Sequence, residues 1–313
     1  MIVELRRGSV VESRHQVHVA VVDADGTVVA HAGDPQLVTF WRSAAKPFQA
    51  MPLVEDGAAD RFNLTPEDLA LVCASHSSEP GQVARARDLL QKVGCSERDL
   101  LCGPHRPLSE AVAKDYETRG VRLTAVYSNC SGKHAGMLAL AKHHGWPTAF
   151  YTRLEHPVQQ RCLAEVSSWT GMPAEEIGVA VDGCGVACFA MPLVSMALAY
   201  ARLEGPIRDA MLKHPELVAG EGRPCTEMMR AHPGRVITKV GAEGVYSAQL
   251  VREKIGVTLK VEDGHSVASA LAMAAVLAEL GLRPQPESLT AKPTTNSRGE
   301  TVGEMRVIGG LVR

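Results

Sequence analysis

The sequence predicts an α+β fold: one antiparallel sheet built from both ends of the chain, with a helical lobe inserted between them. Three observations predict it. Residues 13–22 and 26–31 alternate apolar and polar side chains at the period of two that half-buried strands require. Residues 235–240, 244–251, 257–261 and 302–308 do the same near the other end. Between them, apolar residues recur at helical spacing behind capping and proline signals. The sheet region covers about 1–40 and 235–313, the helical region about 41–234, and 1–313 is read as a single unit.

Taken in order, Val17, Val19 and Val21 share one face, and Asp25-Gly26 is a hairpin turn signal. Residues 43–55 read as a helix with a kink or break at Pro52; because Pro47 lacks an N–H and crowds the carbonyl four residues back, the helix is expected to begin near Ser43 or Ala44. Thr65-Pro66-Glu67-Asp68 opens the next helix with an N-cap, a proline at its first position and acids in its first turn. A short buried segment, 70–74, then leads into Ser75-His76-Ser77. Helices follow over 82–93, 109–119, 135–143 and 156–170, a strand over 178–182, and a helix over 192–203. Residues 266–280 read as the longest uninterrupted helix.

A chain of 313 residues can bury a large core. Its 33 basic and 35 acidic residues nearly balance, so net charge points to neither a nucleic acid nor a membrane surface as partner, and a small substrate is expected. No run of about 18 apolar residues is present and Met1–Arg7 lacks the apolar core of a signal peptide, so a soluble, cytoplasmic protein is expected. The eight cysteines are widely scattered, which in a reducing compartment favours buried thiols or metal ligands over disulfides.

Four glycine-bearing or serine-bearing loops concentrate reactive side chains. In the first, Ser43 and Lys46 stand three apart, a spacing that puts them on one helix face; a neutral lysine there could take the serine proton during attack on an acyl group. The competing reading is an N-cap serine and a solvated lysine. The second is Ser75-His76-Ser77, whose serine could equally be a turn residue. The third is Cys130-Ser131-Gly132-Lys133-His134 and the fourth Asp182-Gly183-Cys184-Gly185. Cys130 and Cys184 are soft donors of the kind zinc prefers, although buried free thiols would look the same. Asp182 could pair with a substrate ammonium or simply cap a turn, and His134 could act as base, ligand or hydrogen-bonding group.

The strings Trp41-Arg42-Ser43-Ala44-Ala45-Lys46-Pro47, Cys73-Ala74-Ser75-His76-Ser77, Tyr127-Ser128-Asn129-Cys130-Ser131-Gly132-Lys133-His134-Ala135-Gly136-Met137, Asp182-Gly183-Cys184-Gly185 and Lys239-Val240-Gly241-Ala242-Glu243-Gly244-Val245 together resemble the bacterial L-asparaginase II family of rhizobial type, or class 3. The resemblance implies a serine-β-lactamase-like or glutaminase-like fold, hydrolysis of L-asparagine to L-aspartate and ammonia, and a homodimer. It implies two serine–lysine tandems, Ser43 with Lys46 and Ser75 with a late lysine, assigned to Lys260 with Lys239 as rival. It also implies a zinc ion held by Cys130, Lys133 and Cys184. Arg42 is then a candidate for the substrate α-carboxylate, Asp182 for the α-ammonium, and His134 joins the substrate-binding set. Hydrolysis of glutamine or a β-lactam, a thiol-dependent activity, and non-catalytic amino-acid binding are the alternatives.

Overall fold

The computed structural model describes residues 1–313. Its strands are β1 (Ile2–Arg7), β2 (Val10–Asp23), β3 (Val28–Ala32), β4 (Val38–Phe40), β5 (Gly178–Val181), β6 (Ala187–Pro192), β7 (Val236–Val240), β8 (Val245–Leu250), β9 (Ile255–Val261), β10 (Lys292–Thr295) and β11 (Thr301–Ile308). Its helices are α1 (Lys46–Glu55), α2 (Ala58–Arg61), α3 (Pro66–Val72), α4 (Pro80–Lys92), α5 (Glu110–Thr118), α6 (Ser131–His144), α7 (Pro157–Thr170), α8 (Leu193–Arg202), α9 (Pro206–Lys213), α10 (Pro215–Val218), α11 (Pro224–Ala231) and α12 (Ser266–Glu279). None is long and apolar enough to cross a membrane.

Two compact units emerge. One comprises Met1–Ala44, Ala190–Leu203 and Glu227–Arg313; the other comprises Ala45–Phe189 and Glu204–Thr226. The first carries the expected antiparallel sheet, in the order β10-β11-β1-β2-β9-β8-β7 with β3 paired to β2, so strands from both ends of the chain meet at its centre. Pairing of β2 with β9 sets Val17 opposite Val261 and Val21 opposite Val257. Residues Val19 to Val22 of β2 are all buried, because α8 and α12 both pack against this strand. Gly256 lets α8 approach closely: a Cβ there would lie 1.8 Å from the Ala197 carbonyl oxygen. Helix α8, within the span read as the helical region, therefore packs on the sheet.

The second unit is mainly helical. Helix α1 packs against α6 and α7, and α3 packs against α6 and α9. Thr65 and Asp68 form the capping box read from sequence, with Pro66 in the first turn of α3. Residues Ser131 to Ala141 of α6 are buried without interruption.

Three local expectations change. The α-helix begins at Lys46, later than expected, and Arg42–Ala45 forms a 3₁₀ turn before it. The proline ring at position 47 disfavours an earlier α-helical bond, whereas the tighter i→i+3 pattern accommodates the turn. Helix α12 has 14 residues, as do α6 and α7, so it is not the longest alone. Strands β1, β4, β6 and β10 and helices α2 and α9 to α11 lie outside what the residue pattern anticipates.

Candidate active site

In the helical unit, Lys46 stands at the first position of α1 and is wholly buried. Its Nζ donates to the Ala74 carbonyl oxygen at 2.5 Å and to Ser75 Oγ at 3.0 Å. Ser75 is 3% exposed, and its N–H donates to the Val218 carbonyl. Fixed at both backbone and side chain, its hydroxyl has one geometry in which to meet the amine.

The same loop is tied to the start of α6. The His76 N–H donates to the Asn129 carbonyl, and Ser78 N donates to His76 Nδ1 at 3.1 Å. His76 Nε2 therefore carries the ring proton and donates to Ser131 Oγ at 2.8 Å. Burial, helped by the positive field of Lys46, His105 and Arg223, pushes the His76 pKa down to about 3, so the ring is neutral. Gly132 permits the close crossing of α6 over α3: a Cβ there would sit 2.3 Å from the Leu71 carbonyl oxygen.

Cys130, Lys133 and Cys184 also gather in this unit. Lys133 Nζ donates to Cys184 Sγ at 3.1 Å, and Cys184 Sγ lies 3.6 Å from Asp182 Oδ2. Asp182 opens a tight turn in which Gly185, at φ 89°, donates its N–H back to the Asp182 carbonyl. A hydrogen bond with Cys130 depresses the Cys184 pKa to about 5 against the opposing effect of burial, with Lys133 adding to the depression. The same hydrogen bond, together with burial, pushes Cys130 up to about 12. Burial pulls Lys133 downward, but Cys184, Cys130 and Asp182 outweigh it and hold the ammonium raised. Cys184 is thus the more acidic of the two thiols and lies beside the raised Lys133 ammonium.

That donor set fits a thiophilic divalent ion. Two sulfurs and an amine are already in contact, and metal binding would release the protons they now share. No three His, Cys, Asp or Glu side chains gather at metal-binding distance, so any such ion depends on the Lys133 amine as third donor.

His134, next along α6, is fully buried; burial first, then Lys133, pushes its pKa down to about 3. Tyr151, also fully buried, places its hydroxyl 2.6 Å from His134 Nδ1. No spacing or motif in the sequence signals this tyrosine.

The remaining candidates belong to the sheet unit. Ser43 occupies the 3₁₀ turn, half-buried and bracketed by two fixed neighbours. Trp41 Nε1 donates to Ser247 Oγ at 3.1 Å, and Tyr200 Oη donates to the Ala44 carbonyl at 2.8 Å. Between them, Arg42 adopts φ 54°, a left-handed conformation that costs a non-glycine residue about 1–3 kcal/mol and concentrates at functional sites. Lys260 on β9 turns its Nζ to the carbonyls of Glu243 (2.7 Å), Val261 and Glu262 (3.3 Å). Burial lowers its pKa, opposed by Glu243, Asp263 and Glu262. Lys239 on β7 is wholly buried and donates to the Val240 carbonyl at 2.9 Å.

A family model described as L-asparaginase II matches residues 3–307. No curated protein matches the chain in sequence. Among solved structures, a β-lactamase from Mycobacterium bovis aligns at 15% identity over 84% of this chain and 94% of its own, with a TM-score of 0.35. A putative β-lactamase from Bacteroides dorei aligns at 15% identity over 85% and 92%, with a TM-score of 0.40. An octameric penicillin-binding protein homologue from Pyrococcus abyssi aligns at 13% identity over 84% and 73%, with a TM-score of 0.38. Likenesses this distant carry no argument, and the architecture rests on the strand order itself.

Proposed function

This chain belongs to the L-asparaginase II family and is an amidohydrolase, and on that premise we propose that it converts L-asparagine to L-aspartate and ammonia through a serine–lysine acyl-enzyme. The observation that carries the proposal is the buried Lys46 amine 3.0 Å from Ser75 Oγ, three residues along the chain from Ser43. A lysine that touches one serine and follows another at this spacing is suited to pass a proton between two hydroxyls.

In the proposed reaction, Ser43 Oγ attacks the side-chain carboxamide carbon while neutral Lys46 takes its proton. Collapse of the tetrahedral adduct expels ammonia, which receives that proton through the Ser75 hydroxyl. Water then attacks the aspartyl ester, with Lys46 again accepting a proton, and frees Ser43 and aspartate. Arg42 and Asp182 are assigned to the substrate α-carboxylate and α-ammonium. The second lysine of the family pattern is assigned to Lys260, whose Nζ faces three backbone carbonyls, with the wholly buried Lys239 as its rival. Cys130, Lys133 and Cys184 would hold a zinc ion, which when bound would supply Lewis-acid polarisation of a substrate oxygen.

Ammonia release from asparagine and glutamine, with intact-mass analysis of quenched turnover, tests the reading. Ser43→Ala should abolish the acyl adduct, and Lys46→Met should lower kcat by about 10²–10⁴-fold. Normal turnover by Ser43→Ala would remove the covalent mechanism; a kcat/KM for glutamine above that for asparagine would reassign the substrate. Lys239→Met and Lys260→Met decide between the two late lysines.

A further inference from the structure

Tyr151 has three polar neighbours that together fix a proton. Its hydroxyl oxygen accepts from the Leu101 N–H at 3.0 Å, so the phenolic hydrogen is left to donate, and the acceptor within reach is His134 Nδ1 at 2.6 Å. Its backbone is held as well, since Gln159 Nε2 donates to the Tyr151 carbonyl at 2.9 Å while Gln159 Oε1 accepts from Ala187 N at 3.0 Å. If His134 Nδ1 accepts, the ring proton resides on Nε2. That nitrogen is buried and has no hydrogen-bond partner within the protein. A buried, unpaired N–H is costly, and such groups in native proteins mark places where another molecule completes the bond.

We infer that Tyr151 is a positioning residue that locks His134 as its Nε2–H tautomer, making it a fixed neutral donor for the α-carboxylate of the amino-acid substrate. The choice of acceptor follows from Asp182, the group assigned to the substrate ammonium two bonds from that carboxylate carbon: its Oδ2 lies 3.6 Å from Cys184 Sγ, which accepts at 3.1 Å from the Nζ of Lys133, the residue next to His134. With its proton on Nε2, His134 presents no lone pair there, which separates its role from that of the neighbouring thiols and amine. The identity of the acceptor rests on the asparaginase reading; the tautomer does not.

The test begins with ¹⁵N–¹H multiple-bond spectra of histidine-labelled protein, with His134 assigned by its disappearance in His134→Gln. The wild type should show a pyrrole-type Nε2 and a pyridine-type Nδ1, and Tyr151→Phe should shift both toward a mixture. A pyrrole-type Nδ1 in the wild type overturns the inference whatever the protein hydrolyses. Kinetics then separate positioning from mere support. Tyr151→Phe should raise KM for asparagine about ten- to a hundredfold, the worth of a hydrogen bond to a charged acceptor, with kcat within a few fold. Glutamine at position 134 places an amide N–H close to the Nε2 position, so His134→Gln should retain far lower KM than His134→Leu. On the His134→Gln background, Tyr151→Phe should add less than about threefold. An equal penalty on both backgrounds would make Tyr151 a packing residue only.

Discussion

Gly132→Ala is a small perturbation with a calculable consequence. The added Cβ would lie 2.3 Å from the Leu71 carbonyl oxygen and 2.9 Å from its carbonyl carbon, both backbone atoms that cannot rotate away. Helix α6 must lift from α3 by about 1 Å to restore contact distance, and overpacking of that kind costs about 1–3 kcal/mol. Alanine recovers about 1 kcal/mol through helix propensity, leaving a net loss of about 2 kcal/mol at the upper end, or about 3 °C for a chain of this size. The larger effect should be on turnover. The start of α6 carries Cys130, Lys133 and the Ser131 partner of His76, while α3 leads directly into Ser75. A displacement of about 1 Å in such a site can lower rate about a hundredfold. Gly145→Ala, at the C-cap of the same helix with φ 70° and open space around it, should cost about 1 kcal/mol with no loss of kcat/KM. Thermal denaturation and ammonia release on both variants provide the comparison. Wild-type turnover by Gly132→Ala, or an equal loss in Gly145→Ala, would refute the coupling between helix crossing and catalysis.

Three further outcomes are expected. His76 is neutral in the fold with a pKa of about 3, below its ordinary 6.5, so the unfolded chain binds the extra proton between those values and stability falls as pH drops from 6.5 toward 3. His76→Gln should flatten the denaturation profile over pH 5–6.5, by about 0.7 kcal/mol per pH unit at the upper end and about 1.3 at the lower relative to wild type, and an unchanged slope would place the histidine proton elsewhere. Gly256→Ala drives a Cβ to 1.8 Å from the Ala197 oxygen and 2.5 Å from Ala201 N, so α8 must leave β9 and soluble yield should collapse; a stable, soluble variant would contradict that packing. Zinc titrated calorimetrically should bind with one-to-one stoichiometry to the wild type, and Cys130→Ser and Cys184→Ser should each abolish the binding. Undiminished binding in either variant would dismiss the Cys130–Lys133–Cys184 set.

What could be read from the residues, and what could not, divides along the range of the interactions. Strand alternation in β2, β7, β8 and β9, the Thr65–Asp68 capping box and the reactive loops are local patterns, and local patterns survive in the sequence. Strand β1 escaped because charged residues sit in its centre: Glu4 is 7% exposed yet held by Arg6 at 3.1 Å and Arg14 at 3.0 Å, so lateral ion pairs substitute for the apolar face that alternation seeks. The start of α1 moved from Ser43 to Lys46 because the 3₁₀ turn depends on a left-handed Arg42, and an arginine gives no advance notice of that conformation. The contact between Lys46 and Ser75 depends on how α1 docks beside α3, which no spacing encodes.

The histidines show most clearly why motif reading stops short of chemistry. His76 and His134 both lie on loops rich in reactive groups, and the sequence offers His134 as base, ligand or hydrogen-bonding group alike. Their neighbours assign them differently: Ser78 N occupies one nitrogen of His76 and Ser131 Oγ the other, whereas Tyr151 engages His134 at Nδ1 alone. Two buried neutral rings thus have opposite consequences. His76 has no valence left for substrate and acts by joining the Ser75 loop to α6, while His134 retains an unspent donor. Because the distinction lies entirely in partners distant along the chain, replacing Ser131 by alanine should disturb His76 and the loop it holds, and replacing Tyr151 should disturb substrate affinity through His134, from changes of a single hydroxyl each.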